Sequence, residues 1–219
     1  QDVNNRKSDS AFAMILQGKS DTIGSGAVAL GQSMRTLATG IVQSMNCRYG
    51  ENFVFAGADG LNVPFTWEGE GDDRKLCYRG IPVDTQDPKE LEALKYMANE
   101  RKNADLGFGM QEDENGNIIG SSVANVGLQG ITFLGYGKDA DGDPKNIVSI
   151  ADRMGTLLRR CDPDSGDWAS EADKEEFSRL AKKFEAAASE LTDKHTEMDT
   201  QAAFIKSNQE QLKANTGTL

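Results

Sequence analysis

Asp139, Asp141 and Asp143 stand at alternate positions of Asp139-Ala-Asp-Gly-Asp143, and hard oxygen ligands spaced in that way open a calcium loop. The rest of such a loop is missing. The position that needs glycine for the sharp turn is Pro144, and the position that needs a bidentate glutamate is Ile150. The segment is therefore expected to be a turn leading into a helix cap, with Asp143-Pro144 as the start of the helix. Glu112-Asp-Glu114, beside Asn115-Gly116, could hold a cation weakly, but acidic residues next to a hairpin turn are read as solvated. The single histidine, His195, has no second His or Cys and no convincing carboxylate at ligand spacing, and histidine catalysis needs an oriented partner. Gly24-Ser-Gly26 and Gly107-Phe-Gly109 lack the third glycine and the strand-to-helix setting of a nucleotide loop. No Gly-x-Ser-x-Gly elbow occurs, and no Ser or Cys has a histidine to activate it. Cys47, Cys77 and Cys161, odd in number and far apart, fit neither a disulfide framework nor a thiolate zinc site, and are expected to be small half-buried apolar side chains. The reading is of a chain that is not an enzyme and takes no cofactor or metal.

Composition narrows the partners. A net charge of −11 over 219 residues repels phosphate backbones, and Lys and Arg cluster only in pairs such as Arg159-Arg160, so nucleic acid is excluded as a partner. No apolar run approaches the length of a membrane span, which excludes a membrane role of that kind. The chain opens on Gln1-Asp-Val-Asn-Asn-Arg-Lys7 with neither an initiator Met nor an apolar signal core, and is expected to be a piece cut from a longer protein.

The elements that would position these residues are dominated by the C-terminus. From Ser170 to Asn215 there is neither Pro nor Gly, and Phe177, Phe184, Leu191, Met198, Ile205 and Leu212 recur every seven residues. A strict seven-residue repeat keeps one stripe against a partner only if the helix winds about another helix, so this segment reads as one strand of a coiled-coil-like bundle, roughly 65 Å long. Ser170 with Asp173 gives it a capping-box start. Its intermediate positions are Leu or Ala up to Ala188 and polar beyond except Ala202, so the second half must borrow its cover. At the other end, Ala11 to Leu16 suggest a first helix stopped at Gly18, and Leu30, Met34, Leu37, Ile41 and Met45 a second that ends near Arg48-Tyr49-Gly50. Between Gly50 and Gly142 lie fifteen of the twenty-three glycines, and the short runs Phe53-Val-Phe55, Val63 to Trp67, Leu76-Cys-Tyr78 and Ile131-Thr-Phe-Leu134 read as strands. Glu68 to Asp73 and Asn115-Gly116 are hairpin connections, and one helix, opened by Asp87-Pro88, interrupts the region. Ile147, Ile150, Met154, Leu157 and Leu158 form the next amphipathic helix, stopped by Asp162-Pro163. The expected fold is α+β: an elongated antiparallel helical rod from residues 1–49 and 143–219, with a β-rich domain, 50–142, inserted between its halves.

Tyr49-Gly-Glu-Asn-Phe53-Val-Phe55-Ala-Gly57, then Pro64-Phe65, then Tyr78-Arg-Gly80, resembles the helix-to-β passage of the flagellin superfamily. The series is most similar to the hook-filament junction proteins of that superfamily, and Gly127 to Gly137 followed by Asp141 to Asn146 is also similar to flagellin-family chains. The resemblance implies a subunit exported through the flagellar secretion channel to the cell exterior, which joins hook to filament. Its partners would be other flagellar axial proteins, flagellin and copies of itself, with an export chaperone. The residues that carry function would then be packing residues: the seven-residue anchors named above with Met34, Leu37 and Ile41 as assembly seam, and Phe53, Phe55, Gly57, Pro64, Phe65, Tyr78 and Gly80 as the joint between rod and lobe. Members of the family carry further amphipathic segments at both ends, so this chain is expected to be monomeric or weakly associating. The alternatives are a flagellin-like filament subunit and a non-flagellar coiled-coil surface adhesin whose β lobe holds a ligand.

Overall fold

The computed structural model describes residues 26–100, 103–105, 123–125, 128–191 and 193. The fold is α+β. The expected first helix, the Glu112–Glu114 and Gly107–Gly109 segments, the Asn115-Gly116 turn, His195 and the anchors Met198, Ile205 and Leu212 lie outside the described residues.

Helix α1, Ala27–Met45, buries Ala27, Gly31, Met34, Arg35, Ala38 and Val42, a stripe at three- and four-residue steps. That stripe is turned by about one residue from the expected one: Met34 is its only shared member, while Leu30, Leu37, Ile41 and Met45 lie along its flank, partly buried. The offset has a packing cause. The small residues Gly31 and Ala38 let a second helix approach closely, and that contact selects the face.

After α1 the chain makes two short antiparallel strands, β1 (Arg48–Tyr49) and β2 (Asn52–Phe53), and then a three-stranded meander of β3 (Phe65–Glu68), β4 (Lys75–Tyr78) and β5 (Ile81–Pro82). Phe65 faces Tyr78 and Glu68 faces Lys75, so the loop predicted from the Gly- and Asp-rich run does close a hairpin, with a 3-10 turn at Gly71–Asp73 inside it. Helix α2, Pro88–Ala98, starts at the expected cap: the Asp87 carboxylate accepts from the Lys89 and Glu90 amides at 2.8 and 3.2 Å. Strands β6 (Asn103–Asp105) and β7 (Val123–Asn125) pair antiparallel.

The run Ile131 to Leu134 is not a strand. It belongs to a short helix, α3, Gly130–Leu134, so two helices and not one interrupt the 50–142 region among the described residues. One helical turn puts Ile131 and Leu134 on the same side, where both are buried, and leaves Thr132 exposed. A strand would have split that pair between faces.

Helix α4, Ile147–Arg159, is buried over nearly all its circumference. Its cap is Asn146, which accepts from the Val148 and Ser149 amides at 3.0 and 3.2 Å, and not the expected Asp143. Asn146 also donates to the Gly135 carbonyl at 2.7 Å, a second bond an aspartate could not make. Helix α5 follows from residue 171 to 191, with Ser170 Oγ accepting from the Asp173 amide at 3.1 Å as the capping-box pattern requires.

One apolar core joins these parts. Met34, Ala38 and Val42 of α1, Phe65, Leu76 and Tyr78 of the meander, Leu94 of α2, Ile131 and Leu134 of α3, most of α4, and Phe177, Leu180, Ala181 and Phe184 of α5 form a single cluster. Helices α1 and α4 approach closely at Gly31 and Gly155. A Cβ added at Gly31 would lie 2.6 Å from the Gly155 carbonyl oxygen, and one at Gly155 would lie 2.7 Å from the Gly31 oxygen. At that crossing the two backbones touch.

Candidate functional site

The seam residues divide by position along α5. Phe177 and Phe184 are buried, with Leu180 and Ala181 between them, and Phe177 stacks against Trp168 with ring centres 5.1 Å apart. Ala187, Ala188 and Leu191 are only partly buried. Cover therefore thins after Phe184, earlier than the change from Leu and Ala to polar intermediates beyond Ala188 implies.

Ahead of that point the helix is also held by charge. Lys183 places its ammonium 2.6 Å from Asp139, 2.9 Å from Asp141 and 2.6 Å from Asp143, and Arg179 grips Asp143 with both Nε and Nη2 at 2.6 and 3.0 Å. The three carboxylates converge to within 4.8 Å of one another as a cation site would, and the position between them is filled by a lysine of the same chain. Asp139 also folds the loop onto itself, accepting from the Asp141 and Asp143 amides at 2.9 and 3.1 Å. Hydrogen bonds from Arg179 hold the Asp143 carboxyl below its ordinary range against the opposing effect of burial, and Lys183 lowers it further. The Lys183 hydrogen bond does the same for Asp139. Burial disfavours the Lys183 charge, but the three carboxylates outweigh it and its pKa is raised. Arg153 adds a two-pronged bond to Glu176 at 2.6 and 2.8 Å, one turn from the start of α5.

The joint residues gather around Phe65 and Tyr78, whose rings lie 4.8 Å apart. Tyr78 donates its hydroxyl to the Phe55 carbonyl at 3.2 Å, and burial pushes its pKa up to about 12. Phe55 meets Phe133 edge to face at 6.0 Å, and its carbonyl also accepts from the Gly130 amide at 2.9 Å. Pro64 is buried and accepts from the Arg79 amide at 2.7 Å, and the buried Gly57 donates to Leu128 at 2.9 Å. Phe53 is buried on the β1–β2 pair under the Arg48 guanidinium, 4.2 Å from its ring centre. Gly80 is exposed and completes the two-residue turn Arg79-Gly80, with φ +50° and +82°. Arg79 takes that conformation at the tip of the β4–β5 turn and pairs through its side chain with Glu100 at 2.7 Å.

Two contributors carry no periodic signal in the sequence. Asn46, just past the end of α1, holds Phe65 on both sides: its Oδ1 accepts from the Phe65 amide at 3.0 Å and its Nδ2 donates to the Phe65 carbonyl at 2.8 Å. A side-chain amide thus completes the edge of β3 as a neighbouring strand would. Arg35, buried in the stripe of α1, donates to Asp152 of α4 at 3.1 Å, to Asp72 of the β3–β4 loop at 2.8 Å and to the Gly71 carbonyl. Helix pair and meander are locked together through these bonds. Of the cysteines, Cys77 and Cys161 are buried and Cys47 is exposed, against the expectation that all three are half-buried. Burial raises the Cys77 thiol to about 12, so it is inert.

A search of family models finds no match to the chain, and neither does a search of curated proteins. Among solved structures the chain is similar to a candidate flagellar hook-associated protein from Vibrio parahaemolyticus, with a TM-score of 0.50 and 12% sequence identity. The match covers 98% of this chain and 79% of that one. The likeness is one of fold.

Proposed function

We propose that the chain is a structural subunit of the bacterial flagellum, of the hook-associated kind, that joins hook to filament. The observation that carries the reading is the fold likeness over 98% of the chain, which agrees with the Phe53-to-Gly57, Pro64-Phe65 and Tyr78-to-Gly80 series. In this reading the protein acts by packing and not by catalysis. The partly covered apolar flank of α1 at Leu30, Leu37 and Ile41, and the anchors from Leu191 through Met198, Ile205 and Leu212, are its assembly surface. The helices of residues 1–49 and 143–219 are proposed to run along an elongated rod, with the 50–142 domain packed against it. Its partners are other axial proteins and copies of itself, and its place is outside the cell after export through the flagellar channel.

The assay is deletion of the gene in a motile host. Junction function requires intact hooks with unpolymerised flagellin shed into the medium, restored by the wild-type gene. Loss of flagellin itself would assign the chain to the filament. Unchanged motility and filament length would overturn the flagellar reading.

A further inference from the structure

Between Ala27 and Cys47 the one charged residue is Arg35, and it is buried, although 27% of the chain is charged. The outward sides of the other long helices differ: α2 exposes Lys89, Glu92 and Lys95, and α5 exposes Glu171, Glu175, Lys182 and Glu190. On α1 the residues Leu30, Ser33, Leu37, Ile41 and Ser44 fall within about a quarter of the circumference, beside the stripe that packs on α4. Leu30, Leu37 and Ile41 are only partly buried, and Ser44 is exposed. Ser33 and Ser44 give their hydroxyl protons to the Ala29 and Gly40 carbonyls of their own helix, each at 3.0 Å, so they present themselves as small side chains with no donor left to satisfy. At Gly40, on the same side, an added methyl group would meet nothing within 4 Å.

The stripe is complementary to its own reverse. Set against an antiparallel copy about Leu37, Leu30 meets Ser44, Ser33 meets Ile41, and Leu37 meets its counterpart, so the bulky side chains away from the centre each face a small one and the two surfaces interlock. A parallel copy would set leucine on leucine and serine on serine, and leave gaps. Charge selects the same occupant. Two chains of net charge −11 repel one another, so they come together most readily where neither presents a charge, and the centres of interfaces are depleted of charge in general. We infer that α1 pairs antiparallel with α1 of a second copy of this chain across a two-fold axis at Leu37. The inference rests on the proposed role of this flank in assembly and names what covers it. One helix pair buries less than a standard interface, so the dimer is a weak one.

The test uses the full chain with Cys47→Ser, which removes the exposed cysteine and leaves the two buried ones. Sedimentation at rising concentration is expected to show a monomer–dimer equilibrium that strengthens with added salt, because screening reduces the repulsion between the two chains. Ser33→Glu is expected to weaken it at least tenfold, and Gln32→Glu, which adds the same charge away from the stripe, less than threefold. Leu37→Cys should give a disulfide-linked dimer on mild oxidation, at least ten times faster than Gln32→Cys. A monomer at every concentration, with Leu37→Cys open to maleimide, would overturn the pairing. A monomer in which Leu37→Cys is closed to maleimide would assign the cover to other residues of the same chain and overturn it equally. A dimer loosened by salt, or weakened alike by Ser33→Glu and Gln32→Glu, would place the contact elsewhere. The gene-deletion phenotype tests the flagellar role separately: its absence with a dimer present overturns that role, and a monomer with the phenotype present overturns only the pairing.

Discussion

Replacing glycine by alanine within a helix ordinarily stabilises a protein, by about 0.5–1 kcal/mol, because the unfolded chain loses freedom. Helix α1 contains two glycines for which the structure predicts opposite outcomes. At Gly40 an added methyl group meets nothing within 4 Å, so Gly40→Ala should show the full gain. At Gly31 the same group would lie 2.6 Å from the Gly155 carbonyl oxygen and 2.9 Å from the Arg159 amide nitrogen, both backbone atoms of α4. Neither can rotate away, so the helices must part, and overpacking of this kind costs about 1–3 kcal/mol. Separation also draws Arg35, one turn along, away from Asp152. The expected result is therefore a loss for Gly31→Ala and a gain for Gly40→Ala, with a gap of roughly 1–3 kcal/mol, or several degrees in Tm for a chain of this size. Thermal melts followed by circular dichroism, with urea denaturation as a second measure, would read it. If Gly31→Ala proved as stable as Gly40→Ala, α1 and α4 would not touch at that crossing, and the reason given for the turned stripe of α1 would fail.

Three further outcomes follow from the other contacts. Phe184→Ala should destabilise by about 3–5 kcal/mol as a buried aromatic, whereas Leu191→Ala, only partly covered, should cost distinctly less; equal losses in urea melts would contradict the thinning of cover along α5. Asn46→Asp keeps the acceptor for the Phe65 amide but removes the donor to its carbonyl, and should cost about 1–3 kcal/mol in the same melts; no change would mean the amide does not hold β3. The latch on α5 should respond to pH in a defined window. Asp139 and Asp143 are depressed from 3.8, so their contribution is present above that value and lost as pH falls through their lower folded values, while the raised Lys183 contributes below 10.5 and is lost only above its folded value. Wild-type stability should drop more steeply below pH 4 than that of Lys183→Met, and parallel acid profiles would count against the latch.

The local signals that proved readable are those whose physics is complete within a few residues. Asp87-Pro88 starts α2 and Ser170 caps α5, because capping needs only a side-chain oxygen and the amides two or three positions on. The β3–β4 hairpin closes over its Gly- and Asp-rich loop for the same reason. The Ile131-to-Leu134 run shows the limit: a four-residue, mostly apolar run fits a strand or one helical turn equally well, and in the structure a helical turn buries Ile131 and Leu134 together. Asp143 was readable as an acid before a proline, but two cations 36 and 40 residues away in the chain decide its task, and the cap passes to Asn146.

Composition and spacing determined the α+β class, the helix starts at Asp87-Pro88 and Ser170 and the buried anchors Phe177 and Phe184, since capping and burial of a regularly spaced apolar face require no knowledge of what lies opposite. The tertiary structure alone decided which side of α1 is covered, that Arg35 is buried between two carboxylates, and that a lysine occupies the acidic loop. Each of these depends on atoms from distant parts of the chain coming within about 3 Å. Hydrogen bonds and backbone contacts of that range leave no periodic trace in the order of residues.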